Sequence, residues 1–171
     1  MRVLGIDPGV ALTGWGVIEE NSGSSTGLKM LDFGVVRTDK NVPHADRLAL
    51  IYKEIQSIVK KYSPEIVAVE QLFFCKNLKT AISVGEARGV VLLVIAKAHI
   101  PIKEFTPLQI KEAVCGYGKA EKQQVQKMVA SLLDMKDIPR PDDAADGLAV
   151  AICCANSVKI EQKINLNSVN T

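Results

Sequence analysis

The sequence predicts an α/β domain in which a five-stranded mixed sheet is flanked by helices. Three strand-like segments follow one another at the start of the chain, and helical and strand-like segments then alternate. The length of 171 residues, with 47% hydrophobic and 23% charged side chains, suits one domain with a substantial core. We assign residues 1–158 to this domain and expect residues 159–171 to form a disordered tail.

The first three segments predict an antiparallel meander. Arg2–Asp7 is a short apolar run that ends at the turn signal Asp7-Pro8-Gly9. Thr13–Glu19 and Lys29–Thr38 are the next two strand candidates, and the polar residues 21–25 separate them. Three strands in direct succession favour pairing between neighbours along the chain.

Helices and strands alternate in the next part of the chain. From Asp46 apolar residues recur at helical spacing until Pro64 ends the helix. Ile66–Glu70 is a continuous apolar run, typical of a buried strand parallel to its neighbour. A helix rich in small residues is expected over Leu78–Ala98, and Ile102–Phe105 is the fifth strand.

Three more helices are expected after the fifth strand. Thr106 is a suitable N-cap for the first of them, with Pro107 in its first turn. Glycines at 116 and 118 break the helical pattern before the second one starts. The predicted ranges are 107–115, about 119–135, and about 142–158, the last beginning at Pro141 or Asp142.

Composition argues against several classes of protein. No secretory signal is visible at the start, and the longest apolar run, residues 89–96, is far shorter than the ~20 residues of a membrane span. A cytosolic protein without membrane contact is therefore expected. The four cysteines are Cys75, Cys115, Cys153 and Cys154. They form no C-x-x-C pair and have no histidine at ligand spacing, so free thiols are favoured over a zinc site or disulfides.

The charge distribution is compatible with a polyanionic substrate. The net charge is +2, but setting aside four acids discussed below lowers the 19 acidic side chains to 15 against 21 basic ones. A basic surface around an acidic pocket suits nucleic acid that needs a metal ion at the point of reaction. The alternative is that so small a net charge carries no information.

Two acids end predicted strands. Asp7 closes the first strand beside a glycine turn, and Glu70 closes the strand over residues 66–70. Ligand sites in open α/β sheets gather at the carboxyl ends of strands, so these side chains could lie close together. A strand-terminal acid can equally be solvated or act as a cap.

Two further acids share a helix face. Asp143 and Asp146 are three residues apart, and the same face continues through apolar Ala149, Val150 and Cys153. Carboxylates directed toward a sheet need a cation to offset their repulsion, and oxygen ligands select Mg²⁺ or Mn²⁺. The alternative is an exposed first turn that Asp142 or Asp143 merely caps.

Together the four acids suit two-metal hydrolysis of a phosphodiester. The chain contains only two histidines, His44 and His99, so Ser-His-Asp or Cys-His chemistry fits poorly.

Basic and aromatic residues are candidates for nucleic-acid contacts. A glycine-containing turn at 116–118 leads into a helix carrying Lys119 and Lys122, and Lys111 precedes it. Ordinary helix junctions look the same. Phe73 and Phe74 are adjacent in an expected loop before Lys76; one of them suits the core, and Phe73 is our candidate for stacking on a base.

Five motifs, in register from residue 1 to about 158, resemble the RuvC family of bacterial Holliday junction resolvases. They are Val3-Leu4-Gly5-Ile6-Asp7-Pro8-Gly9, Glu70-Gln71-Leu72-Phe73 through Lys76-Asn77, Gly85-Glu86-Ala87-Arg88-Gly89, Gly116-Tyr117-Gly118-Lys119-Ala120-Glu121-Lys122, and Asp143-Ala144-Ala145-Asp146.

The resemblance implies a ribonuclease H-like fold, a homodimer, and paired symmetric nicks in four-way DNA junctions that leave 5′-phosphate and 3′-hydroxyl ends. It also implies two Mg²⁺ ions per active site, for which Mn²⁺ can substitute, branch-migration motor proteins as partners, and a modest preference for a thymine-containing tetranucleotide. The helix from Leu78 corresponds to the dimer-forming helix.

The resemblance also assigns individual roles. The metal-binding catalytic acids are Asp7, Glu70, Asp143 and Asp146; the junction-stacking aromatic residue is Phe73; and the DNA-contacting lysines are Lys111 and Lys122.

The departures from the family pattern are small. Gly147 stands where an alanine is expected, and a helical glycine costs about 1 kcal/mol. Asp142 adds an acid beside the site, and the D-A-A-D spacing favours Asp143 as the ligand.

Two other functions are compatible with parts of the sequence. Phosphotransferases of the sugar-kinase or actin type also open on G-I-D-x-G, but they usually need two such lobes and a far longer chain. A non-catalytic junction-binding relative would be expected to lack one of the acids, and all four are present.

Overall fold

Five strands form one mixed sheet in the computed structural model, which describes residues 1–72 and 78–169. The strands are β1 (Arg2–Asp7), β2 (Leu12–Glu20), β3 (Leu28–Arg37), β4 (Ile66–Glu70) and β5 (Ile102–Phe105). They pair in the order β3-β2-β1-β4-β5. The first three strands are antiparallel neighbours, whereas β4 pairs parallel to β1 and β5 parallel to β4. The predicted meander and the mixed five-stranded sheet are confirmed.

Helices cover both faces of this sheet. They are α1 (His44–Tyr62), α2 (Leu78–Lys97), α3 (Pro107–Cys115), α4 (Lys122–Leu132) and α5 (Asp142–Val169). One core joins the sheet to α1 and α2, and a second core joins it to α3, α4 and α5. In the described part of the chain, no helix is both long and apolar enough to cross a membrane.

Alternation along the strands decides which side chains face which core. In β1, Leu4 and Ile6 belong to the core with α1 and α2, whereas Val3 belongs to the core with α5. In β4, Val67 and Val69 face the former core and Ala68 faces the latter. Because successive strand residues point to opposite faces, the residues that end both strands point to the α5 side.

The caps of the helices explain where α3 and α4 begin. Thr106 caps α3 as predicted, since its hydroxyl accepts a hydrogen bond from the backbone N of Gln109 at 3.2 Å. Glu121 forms an equivalent capping box with Gln124, so α4 begins at Lys122 and not near Lys119. It ends at Leu132, short of the predicted Met135, and Asp134 has a left-handed backbone with φ of 50°.

The last helix is longer than predicted. α5 continues to Val169, and its expected end near Val158 is wrong. Residues 158–169 contain no glycine or proline to stop a helix, although they lack an apolar period. The assignment of residues 159–171 to a tail outside the nuclease domain stays a prediction.

Candidate active site

The pairing of β1 with β4 places two predicted acids side by side. Ile6 is the register partner of Val69, and Asp7 and Glu70 are the next residues along these two parallel strands. Adjacent strands lie about 4.8 Å apart, and residues in register point to the same face. Asp7 and Glu70 therefore lie side by side at the carboxyl-terminal ends of β1 and β4, on the face of the sheet that carries α5.

The turn after Asp7 is held by a buried hydroxyl. Thr13 at the start of β2 is fully buried, and its Oγ1 donates a hydrogen bond to the carbonyl of Gly9 at 2.7 Å. The same oxygen accepts a longer contact of 3.4 Å from the backbone N of Gly9. This link ties the Pro8-Gly9 turn to β2 and fixes the chain directly after the carboxylate.

Glycines let the backbone of α5 lie directly against the strands. A Cβ on Gly14 would lie 1.8 Å from the carbonyl oxygen of Asp143, and one on Gly5 would lie 2.3 Å from the backbone N of Ala151. From the helix side, a Cβ on Gly147 would lie 2.5 Å from Cα of Trp15. The start of α5 is thus brought beside the end of β1 and the start of β2. Gly147, interpreted from sequence as a weak point of the helix, is here a point of close packing.

Burial and mutual repulsion disturb the titration of the two strand acids. Burial, followed by the charges of Asp146 and Asp143, raises the pKa of Asp7 to about 7, and Lys122 opposes the shift. Burial, followed by the charges of Asp7 and Asp146, raises the pKa of Glu70 to about 8. Because part of each shift comes from the charges of the neighbouring acids, these carboxyl groups belong to one site.

Two lysines face this acidic cluster, which comprises Asp7, Glu70, Asp143 and Asp146. Lys122 Nζ lies 3.1 Å from Oδ2 of Asp146, whose side chain is 25% exposed. Burial raises the pKa of Asp146 despite the opposing hydrogen bond from Lys122. Lys111, half-buried on α3, acts on Glu70 in the same sense as Lys122 and lowers its pKa. The cluster is therefore partly neutralised from the side of α3 and α4.

The acidic cluster suits a hard divalent cation. Its donors are carboxylate oxygens, and a dication would offset both the burial of these charges and their mutual repulsion. Within residues 1–72 and 78–169, no three His, Cys, Asp or Glu side chains are spaced as ligands of one ion. Strand register brings the acids close together, and their charges interact. Their side chains are not arranged around one point as the ligands of a single bound ion would be.

The other predicted site residues differ in their placement. Asp142 is exposed, whereas Asp143 is half-buried, which agrees with the choice of Asp143. Lys119 is exposed in the loop before α4, and no ion pair in the described chain joins it to the acids. Phe73 and Lys76 lie outside the described residues.

Three of the cysteines belong to the described chain, and all three are free thiols. Cys153 and Cys154 are buried, and burial raises the pKa of Cys153 to about 11.

Sequence reasoning did not find the residues that support the acids. The available signal was Gly14 and Gly16 at alternate positions of a strand, which indicates close approach of another backbone on one face. The role of Thr13 had no comparable signal, because its partner lies in a turn that only the fold defines.

A mixed sheet with acids at the ends of β1 and β4, met by acids from a helix on one face, defines a metal-dependent nuclease of the ribonuclease H-like class. The comparisons with known proteins agree. The family model "Crossover junction endodeoxyribonuclease RuvC" matches residues 3–154, and this chain belongs to that family.

Individual relatives are similar over nearly their whole length. The RuvC of Caldicellulosiruptor saccharolyticus is 53% identical over 153 residues, which cover 90% of this chain and 91% of that protein. The structure of Thermus thermophilus RuvC superposes with a TM-score of 0.86 at 35% identity, covering 94% of this chain and 97% of the other. The same protein in complex with Holliday junction substrate gives 0.84 at 32% identity, covering 94% and 96%.

These comparisons confirm the predicted family, the ribonuclease H-like fold and the class of enzyme, an endodeoxyribonuclease of crossover junctions. Nucleases of this family depend on metal ions. The sugar-kinase alternative is thereby excluded.

Proposed function

We propose that this chain resolves four-way DNA junctions during recombination and repair by paired, symmetric, metal-dependent nicks. The observation that carries the proposal is the burial of Asp7 and Glu70 together with their electrostatic repulsion by Asp146, which raise the pKa values of the two acids to about 7 and about 8. A site of this charge needs a cation before it can accept a phosphodiester, which is itself anionic.

Asp7, Glu70, Asp143 and Asp146 are the proposed ligands. We propose two Mg²⁺ ions per active site, with Mn²⁺ as a possible substitute, because the donors are hard oxygens. When bound, the metal supplies the electrostatic stabilisation that hydrolysis of a phosphodiester requires. Water attacks phosphorus and the bond to the 3′-oxygen breaks, leaving a 5′-phosphate and a 3′-hydroxyl.

Residues around the acids hold the DNA. Lys111 and Lys122 are the proposed phosphate contacts beside the acidic cluster, and the Lys122 side chain is 52% exposed and so accessible to DNA. Phe73, Lys76 and Lys119 are the further proposed DNA contacts, with Phe73 stacking on a junction base. A modest preference for a thymine-containing tetranucleotide is part of the proposal.

Symmetric cutting requires two active sites related by a twofold axis, so a homodimer is proposed. Branch-migration motor proteins are the proposed partners, and the cytoplasm, where bacterial DNA lies, is the proposed location.

The test is cleavage of a synthetic four-way junction with Mg²⁺ and with a chelator. Asp7→Asn should reduce cleavage by more than about 100-fold while junction binding is retained. Changes to residues that only hydrogen-bond to a metal ligand typically cost about 10- to 100-fold, so a larger loss indicates a ligand. Asp142→Asn, a change of the exposed neighbouring acid, is the matched control and should still cut. Intact junctions in the presence of Mg²⁺ and folded wild-type dimer would reject the proposal.

A further inference from the structure

A pocket adjoins the acidic cluster at Asp143. Its volume is about 430 Å³, and its walls come from the β1–β2 turn, the starts of α1 and α5, and Ser83 and Val84 of α2. Gly9 and Val10 line it from the turn, Asp143 from α5, and His44 and Arg47 from α1. The pocket is thus lined both by a member of the acidic cluster, Asp143, and by Arg47.

Arg47 is held in this pocket by a chain of hydrogen bonds. Its Nε donates to Oγ1 of Thr38 at 2.8 Å, and that hydroxyl donates to the carbonyl of Val10 at 2.5 Å. Thr38 is only 6% exposed, so the anchor is rigid. The guanidinium is therefore fixed through one nitrogen to the turn that follows the catalytic strand β1.

The rest of the guanidinium has no partner among the residues that the structure describes. Within residues 1–72 and 78–169, neither Nη atom of Arg47 makes a hydrogen bond or an ion pair. The other basic side chains near the cluster differ: Nε2 of His44 lies 2.6 Å from Oε2 of Glu86, and Nζ of Lys122 lies 3.1 Å from Oδ2 of Asp146. Arg47 is thus oriented but not neutralised.

A phosphate group fits these properties. The two Nη atoms present parallel donors that match two oxygens of a phosphate, and anchoring the Nε lowers the entropy lost on binding. The acidic cluster repels the DNA backbone on either side of the phosphate that is cut. Lys111 and Lys122 offset this repulsion beside Glu70, and Arg47 is placed to offset it in the pocket that Asp143 lines.

We propose that Arg47 binds a phosphodiester of the strand being cut, next to the scissile phosphate, and that it acts as a positioning residue that sets the register of that strand. This inference rests on the proposed function, since it assumes that DNA crosses the acidic cluster.

The first test is the salt dependence of binding to a synthetic four-way junction, with Ca²⁺ in place of Mg²⁺ to prevent cutting. Arg47→Gln should weaken binding about tenfold, as expected for one charge-assisted contact. The slope of log K against log salt should fall by about one for each subunit that touches the DNA. Lys53→Gln, on the exposed face of the same helix, is the matched control and should change neither quantity.

The second test locates the phosphate. Single methylphosphonates, which are neutral, replace the phosphates flanking the scissile one in turn. One position should weaken wild-type and Lys53→Gln binding but add nothing to Arg47→Gln, because the two changes remove the same contact. An unchanged salt slope, or additive effects at every position, would overturn the inference.

Arg47→Lys keeps the positive charge but loses the two parallel Nη donors. This variant replaces Arg47→Gln in the experiment if Arg47→Gln does not fold. The methylphosphonate that weakens wild-type binding must cost this variant less, and an equal cost at every position would overturn the inference. Failure of the wild type to bind junctions at all would instead reject the proposed function.

Discussion

Lys122 acts on the charge of three of the four acids, Asp7, Glu70 and Asp146. It pairs with Asp146 at 3.1 Å and lowers the pKa of both Asp7 and Glu70, whose values burial and repulsion raise to about 7 and about 8. A carboxyl group must lose its proton to bind a metal ion. The protonation of these acids near neutral pH is therefore sensitive to Lys122, and that of Glu70 to Lys111 as well.

Removing that cation should shift the pH dependence of cleavage. In Lys122→Gln the acids keep their protons to higher pH, so the rising limb of the cleavage rate should move to more alkaline pH. The deficit relative to wild type should be several-fold larger at pH 7 than at pH 9. Lys127 is an exposed charge on the same helix, and Lys127→Gln should leave the rising limb of the cleavage rate at the same pH as in the wild type. A lower rate with an unchanged midpoint would mean that Lys122 contacts DNA but does not tune the acids.

Phe73 is predicted to act on the DNA and not on the metal. Stacking of one base on an aromatic ring contributes about 1–3 kcal/mol, so Phe73→Ala should slow junction cleavage by roughly 5- to 150-fold. The rise in melting temperature on adding Mg²⁺ should match that of the wild type. Phe74→Ala should mainly lower thermal stability, as expected for a core residue. Wild-type cleavage by Phe73→Ala would show that the stacking assignment is wrong.

At the scale of elements, the contact of α5 with β1 and β2 assembles the site. Gly5 and Gly14 on the strands and Gly147 on the helix leave no room for a Cβ, so backbone meets backbone. By helix propensity alone, Gly147 lowers the stability of α5 by about 1 kcal/mol relative to alanine. The close packing that Gly147 permits, however, sets Asp143 and Asp146 beside Asp7.

A methyl group between these elements should therefore separate the acids. Gly14→Ala places Cβ 1.8 Å from the Asp143 carbonyl, and α5 must move away. We expect a loss of about 1–3 kcal/mol in the free energy of unfolding, measured with urea, and loss of most Mg²⁺-dependent cleavage. Gly23→Ala, in the β2–β3 turn where the nearest atom would lie at 3.4 Å, is the control. Full activity in Gly14→Ala would contradict this account of the site.

At the scale of the whole molecule, α2 carries the surface proposed for dimerisation. Ile82, Glu86, Gly89 and Leu93 are exposed and follow one another at helical spacing, so they form a stripe along one side of the helix. Ile82 is 58% exposed and Leu93 is 53% exposed. A second copy of the chain would cover both side chains, and Gly89 would allow its close approach.

A charge in this stripe should uncouple the two active sites. Leu93→Glu would place like charges against an apolar interface, and it should convert the dimer to monomer in size-exclusion chromatography. Paired nicks should give way to slow, independent single nicks on a junction carried by a supercoiled plasmid. Ile164→Glu, on a side chain 60% exposed in α5, is the matched control and should remain dimeric. A Leu93→Glu dimer with paired nicking would remove α2 from the interface.

Much of this molecule could be predicted from the sequence. The ranges of β1, β4 and β5 and the N-cap of α3 follow from apolar runs and turn residues, which are local properties. The four candidate acids were recognisable because each lies at a strand end or on an apolar helix face, and because the motifs occur in the order of the family. The end of α5 was wrong, because polar residues without helix breakers can still continue a helix.

Local pattern therefore determined the kinds of element and the fold class, and it indicated the candidate acids, since these depend on residues near one another in the chain. The tertiary structure alone decided the register of Ile6 with Val69 and the contact of Gly14 with Asp143. It also decided the two hydrogen bonds that link Arg47 through Thr38 to Val10. Each of these joins segments that are distant in sequence, and its geometry depends on how closely two backbones can approach. No periodicity along the chain encodes that distance.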